Sequence, residues 1–217
     1  MTTRDTVAIT SFIPYIRPEV PGCPDLMIEQ KLMSTLIDFC AKTDIWQEDI
    51  DSSTLIPAVK EIEIDVPDGT TLNKILRLRY KDTKEIVATS VDWLDRNEPN
   101  WRTKTSGVGD YFVHTGKATI QLVGHASEVE TLALRGRMSL KPKRTATTVY
   151  DMLYEDYCEA IAAGTKASLM AMSAKEWTNP EMAQVYSLAY VRTIDEATVF
   201  AQAAYASRVR RRTRAYF

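Results

Sequence analysis

The chain has 217 residues, 45% of them hydrophobic and 26% charged, with a formal net charge of −2; this is an ordinary globular composition with enough length for a packed core. No run of about 18 apolar residues occurs, which argues against a membrane span, and the opening MTTRDTVAIT lacks the basic-then-apolar pattern of a secretory leader. Cys23, Cys40 and Cys158 form no CxxC spacing and read as reduced thiols in a cytosolic setting.

Three zones follow in chain order. The first, 1–46, reads as helical. ITSFIPYI predicts a short helix capped by Thr10 or Ser11, and IRPEVPGCP ends it with three prolines and a glycine. Pro24 suits the first turn of the next helix, with Asp25 complementing its dipole. Ile28, Leu32, Leu36, Phe39 and Cys40 then recur at helical spacing to about Thr43.

The second zone, 47–146, changes period. KEIEIDV alternates strictly, PDGTT marks a turn, and KILRLRYK alternates Ile75 (or Leu76), Leu78 and Tyr80 with basic residues. DYFVHTG, ATIQLVG and ETLALRGRMSL continue the pattern. SVDWLDRN interrupts as a short helical turn with Ser90 as N-cap. About six strands at this spacing predict a small antiparallel sandwich or open barrel.

The third zone, 147–207, is again helical. A Thr148–Asp151 capping pattern opens a helix whose stripe of Leu153, Tyr157, Ala160, Ile161, Gly164, Ala167 and Ser168 becomes small toward its end. After Trp177, Asn179 is an N-cap and Pro180 the first residue of a helix reaching about Ser207. Its face of Ala183, Ser187, Ile194, Ala197, Ala201 and Ala204 is also small, so the two helices are expected to pack as a long, close antiparallel hairpin. The expected fold class is α+β: a helical body, 1–46 with 147–207, carrying 47–146 as an inserted antiparallel β-sandwich or barrel module.

Residues 208–217 stand apart. Five of the 27 basic residues, Arg208, Arg210, Arg211, Arg212 and Arg214, lie there, leaving 22 against 29 acidic side chains in the preceding body. A helix C-terminus favours one or two cations through its dipole, but five within seven residues exceed that need. Arginine offers bidentate bonding to carboxylates and phosphates, so the segment reads as an arm for an acidic partner, nucleic acid or protein. Terminal Tyr216 and Phe217 add apolar anchors, which favours a protein groove over a duplex.

No constellation for catalysis emerges. His114 and His125 fall in neighbouring predicted strands, but no Cys or carboxylate cluster joins them. Asp92 and Asp95 read as a charged surface turn. GVGD at 107–110 lacks the lysine and the strand-loop-helix setting of a phosphate loop, and neither GxSxG nor HExxH occurs. The chain is therefore expected to be no enzyme and to hold no metal or cofactor. Trp46, Trp93, Trp101 and Trp177 lie near element boundaries and read as core caps or loop anchors; Trp101 and Trp177 are alternatively contacts at a subunit or tail interface.

FIPYIRPEVPGCPDLMIEQKLMSTLIDFCAKTDIW, with Phe39, Cys40, Thr43 and Trp46, resembles the opening of head-to-tail connector (adaptor) proteins of tailed bacteriophages. EDYCEAIAAGTKASLMAM, the Trp177–Asn179–Pro180 phrase and the arginine-rich exit extend the resemblance over nearly the whole chain, most closely to the tail tubular protein A type. The resemblance implies a structural virion protein in the neck between head and tail, assembled in the host cytoplasm. It implies a homo-oligomeric ring, usually of twelve copies, which binds the portal protein above and a tail or nozzle protein below and passes genomic DNA through its lumen. Residues Arg208 to Phe217 would then dock in the portal. The competing expectation is a nucleic-acid-binding packaging or regulatory module that sets the same arginines on phosphates.

Overall fold

Between residues 47 and 142 the alternating segments do form strands, but they pair differently from a simple antiparallel stack. The computed structural model of the protein describes residues 5–105 and 107–203. The chain divides into two compact units, Met1–Ile9 with Trp46–Glu155 and Thr10–Ile45 with Asp156–Phe217.

In the first unit, β1 (Thr6–Ala8) pairs antiparallel with β9 (Thr148–Tyr150), setting Val7 against Val149. The remaining strands are β2 (Gln47–Leu55), β3 (Glu61–Glu63), β4 (Thr70–Tyr80), β5 (Lys84–Ala88), β6 (Val108–His114), β7 (Thr119–Gly124) and β8 (Glu130–Pro142). They form one curled, half-barrel sheet in the order β2-β8-β4-β5-β6-β7-β3. β5 and β6 run parallel, which demands a crossover; α2 (Val91–Asn97) supplies it. Ser90 caps that helix by accepting the Trp93 N–H at 3.2 Å.

Two features of this sheet follow from tertiary packing. In β4 the buried apolar residues are Leu72, Ile75 and Leu78, at spacings of three, because register shifts beside β8 insert extra residues at 72–74 and at 75–77. Such bulges bend a strand and raise its twist, which suits a curled sheet. Gly136 of β8 faces one of them, where a Cβ would collide with the Arg77 carbonyl oxygen. In β7, Leu122 and Val123 are both buried because both faces are covered: Leu122 pairs with Phe112 on the inner face, and Val123 packs with Leu94, Trp101 and Val113 under α2.

The second unit joins residues Thr10–Ile45 to helices from the C-terminal part of the chain. The segment Ile9–Tyr15 is a 3₁₀-helix that contains Pro14, and Arg17–Glu19 is a second one. α1 (Asp25–Thr43) starts after Pro24 and stops at Asp44, which adopts the left-handed conformation at φ 51°. Its Ile28, Leu32, Leu36, Phe39 and Cys40 are all fully buried. α4 (Cys158–Met170) and α5 (Pro180–Gln202) complete the unit, after the single turn of α3 (Met152–Glu155) in the first. Asn179 caps α5 by accepting the Met182 N–H at 3.1 Å, with Pro180 in the first turn.

The α+β architecture expected from the sequence is corrected on three counts. The chain is mixed α/β, with one seven-stranded curled sheet as a main body; there is no helical body bearing an antiparallel sandwich or barrel, because the α2 crossover makes β5 and β6 parallel. The helix expected from Thr148 begins ten residues later, at Cys158. Thr148, Val149 and Tyr150 are β-branched or aromatic and enter β9 instead; Asp151 then accepts from Tyr154 and Glu155 in a short separate turn. Among the described residues no long antiparallel hairpin forms: α4 has 13 residues against 23 in α5, the one long C-terminal helix described.

Candidate functional site

The expected docking arm, Arg208, Arg210, Arg211, Arg212, Arg214, Tyr216 and Phe217, lies outside the described residues, as does Ala204. Trp101 is 3% exposed. Its indole N–H donates to Asp95 Oδ1 at 2.8 Å, and the Arg102 guanidinium sits 4.6 Å from its ring centre while pairing with the same carboxylate. These two donors, Arg102 first, pull the Asp95 carboxyl below its ordinary range. Trp101 is thus an anchor packed with Leu94, Val113 and Val123. Trp177 lies half-buried in the connection between α4 and α5, and its buried indole N–H has no hydrogen-bond acceptor among the described residues. Trp93 stacks on Tyr111 at 4.8 Å and Trp46 on Tyr150 at 6.0 Å.

The two histidines are held apart by the register of the β6–β7 hairpin. His114 pairs with Ile120 near its turn, whereas Gly124, next to His125, pairs with Val108 at the other end. Along β7, His125 lies five residues from Ile120, about 17 Å at 3.4 Å each. Burial lowers the His114 pKa. Among the described residues no group of three or more His, Cys, Asp or Glu is arranged to hold a metal, and no helix is long and apolar enough to cross a membrane. In the 107–110 segment, Gly109 lies against the Val123 carbonyl and Asp110 pairs with Lys84 at 2.9 Å. Burial pushes the Cys40 thiol up to about 12, so it stays protonated and unreactive at neutral pH.

The small faces foreseen on the C-terminal helices have a different outcome. Gly164 of α4 touches α1 and α5 together: a Cβ there would lie 2.7 Å from the Tyr190 ring and 2.8 Å from the Thr35 methyl. Beyond that contact, Ala167, Ser168, Ala183 and Ser187 do not close on one another. They line an open groove of about 640 Å³ with Ser34 and Asp38 of α1 along its side. Tyr190 lies 9% exposed at its base. Its hydroxyl lies 3.2 Å from both the Thr35 carbonyl and Asp38 Oδ2 and shares its proton between them. Burial first, and Asp38 second, push its pKa far up, so the phenol is a fixed donor and no base.

One buried cation lies in the same unit. Lys166 is 8% exposed, pairs with Glu19 Oε1 at 2.8 Å and lies 4.5 Å from the centre of the Tyr186 ring. It ties the proline-rich elbow to α4 and α5 by an ion pair and a cation–π contact. Sequence reading missed both Lys166 and Tyr190, because each gains its partner from an element more than a hundred residues away. Comparison of the sequence with protein-family models and with curated proteins yields no match.

Proposed function

We propose that the chain is a structural component of a tailed-phage virion, a head-to-tail connector that assembles as a ring beneath the portal and extends the DNA channel toward the tail or nozzle. In this reading it catalyses nothing, residues 208–217 anchor it to the portal, and about twelve copies close the ring. The observation that carries the reading is the pair of phrases Phe39-Cys40-Thr43-Trp46 and Trp177-Asn179-Pro180 with an arginine-rich exit. Support comes from where those residues act: Phe39 and Cys40 are fully buried in the unit that joins Thr10–Ile45 to the C-terminal helices, and Asn179 with Pro180 starts its long helix.

Mass spectrometry of purified virions, followed by electron microscopy of the chain mixed with its portal, tests the proposal. The expected result is a stoichiometric neck protein in a ring. Absence from mature particles overturns it. Deleting 208–217 is expected to leave the fold intact and abolish portal attachment. The competing reading, a nucleic-acid-binding module, takes its support from the same five arginines. It requires the deletion to abolish DNA binding, and that binding to weaken with salt at a log–log slope near −0.9 per phosphate contacted.

A further inference from the structure

The outer face of the β4–β8 pair holds an arrangement that a sheet does not need for its own stability. Arg77 stands directly opposite Arg137, and Arg79 directly opposite Arg135, so four guanidinium groups form a two-by-two grid on one face. Like charges directly opposite destabilise a strand pair. The side chains of Arg77, Arg135 and Arg137 are about half exposed, at 50%, 55% and 47%. Carboxylates reach the grid only from its margins: Glu85 lies 3.9 Å from Arg77, Asp82 2.9 Å from Arg135 and Asp49 3.2 Å from Arg137. The grid retains a net positive charge on a body that is otherwise acidic.

The same sheet carries the opposite pattern on one of its edge strands. Along β3 and just beyond it, Glu61, Glu63 and Asp65 point outward while Ile62 and Ile64 are buried. β3 has a neighbour, β7, on one side only, and among the described residues none of the three carboxylates makes an ion pair. Residues two apart on a strand repeat at about 6.8 Å on one face. The acidic row therefore has the spacing of Arg77 and Arg79 along β4 and of Arg135 and Arg137 along β8. Strands β5, β6 and β7 intervene between the two patches in the strand order, and no ion pair links the two within one chain among the described residues.

We infer that the arginine grid of one copy docks the β3 carboxylates of a second copy. The contact joins two different surfaces, so it is head-to-tail and repeats around a ring or along a filament. This deepens the connector reading, on which it rests for the closed ring. A short row of three carboxylates suits the grid better than a nucleic-acid backbone does: each of its four arginines already has a carboxylate beside or directly opposite it, and the acidic body repels a long polyanion.

Sedimentation of the full-length chain, with and without added salt, tests the contact using two doubly substituted variants, E61K/E63K and R135E/R137E. The wild type is expected to self-associate at low salt and to dissociate as salt rises. Each variant alone is expected to associate at least about tenfold more weakly. A one-to-one mixture of the two regains association, through the native contact between the intact grid of E61K/E63K and the intact β3 row of R135E/R137E. A wild type that stays monomeric at low salt overturns the inference. So does unchanged association in either variant, or a mixture that fails to associate. DNA binding that R135E/R137E abolishes, with self-association intact, assigns the grid to a polyanion and also overturns it. Circular dichroism checks folding, and Glu63→Gln with Arg135→Gln provides a milder pair if a reversal unfolds the sheet; about threefold weakening is then expected for each. Absence from virions with rescue intact removes only the connector reading, while presence in virions without rescue removes only this contact.

Discussion

The sheet unit and the helical unit of this protein are built from sequence signals of different reach. In the helical unit the decisive features are local. Pro24 and Asp44 bound α1, Asn179 and Pro180 start α5, and the five apolar residues of α1 at helical spacing are among its buried ones. In the sheet unit the decisive features are distant: two bulges set by β8 against β4, a parallel pair made possible by α2, and a strand, β7, covered on both faces. Local periodicity reports which residues an element buries only when the element meets its core on one face with an unbroken register.

Substitutions should sharpen that contrast. The largest expected effect is Phe39→Ala, which empties a fully buried site between Tyr157 and Tyr190 and should cost about 4 kcal/mol in chemical denaturation. Gly136→Ala should follow in the sheet unit at about 3 kcal/mol, because its Cβ meets the Arg77 carbonyl and backbone cannot swing aside. Gly164→Ala puts the same added methyl in the helical unit. There it meets a tyrosine ring and a threonine methyl, both able to shift, and α4 gains about 1 kcal/mol of helix propensity; a net loss of about 1 kcal/mol is expected. Equal costs for the two glycine variants would erase the distinction between a register-bound and a packing-bound close approach. Asn179→Ala removes the α5 cap and should also cost about 1 kcal/mol.

The gentlest test is pH. The Tyr190 pKa is raised by burial and by Asp38. The stability it contributes is therefore complete below the unfolded tyrosine value of about 10 and falls as pH rises above it. Glu130 behaves oppositely. The Tyr80 hydroxyl at 2.7 Å and Lys81 at 2.9 Å lower its pKa, so its contribution is present above the unfolded value and is lost as pH falls through the folded one. Hydrogen exchange followed across pH should show alkali loosening the helical unit and acid loosening the sheet unit. Tyr190→Phe should flatten the alkaline limb. An alkaline limb that persists unchanged in that variant would exclude Tyr190 as its source.

From sequence alone, the two C-terminal helix faces of small residues implied a tight pairing. Smallness permits close approach but does not state which neighbour makes it. Gly164 met Tyr190 and Thr35, whereas Ala167, Ser168 and Ser187 were left lining a groove. The Thr148–Asp151 pattern was legible as a cap and misleading as a helix start, since Val7 offered Val149 a strand partner from the far end of the unit. The arginines of β4 and β8 were visible as basic residues in alternation. Their opposition across two strands was not, because register is a property of the pair.

What the sequence by itself determined is the set of local instructions: the caps at Ser90 and Asn179, the start of α1 after Pro24, the buried stripe of α1 and the alternation of Ile62 with Ile64. Each involves residues within a turn or two of one another, where backbone geometry and side-chain chemistry suffice. Only the tertiary structure decided the strand order, the bulges, the partners of Tyr190 and Lys166, and the grid of arginines. These require segments distant in sequence to meet, and the free energy that selects one such meeting over another is shared across the whole buried surface of a unit.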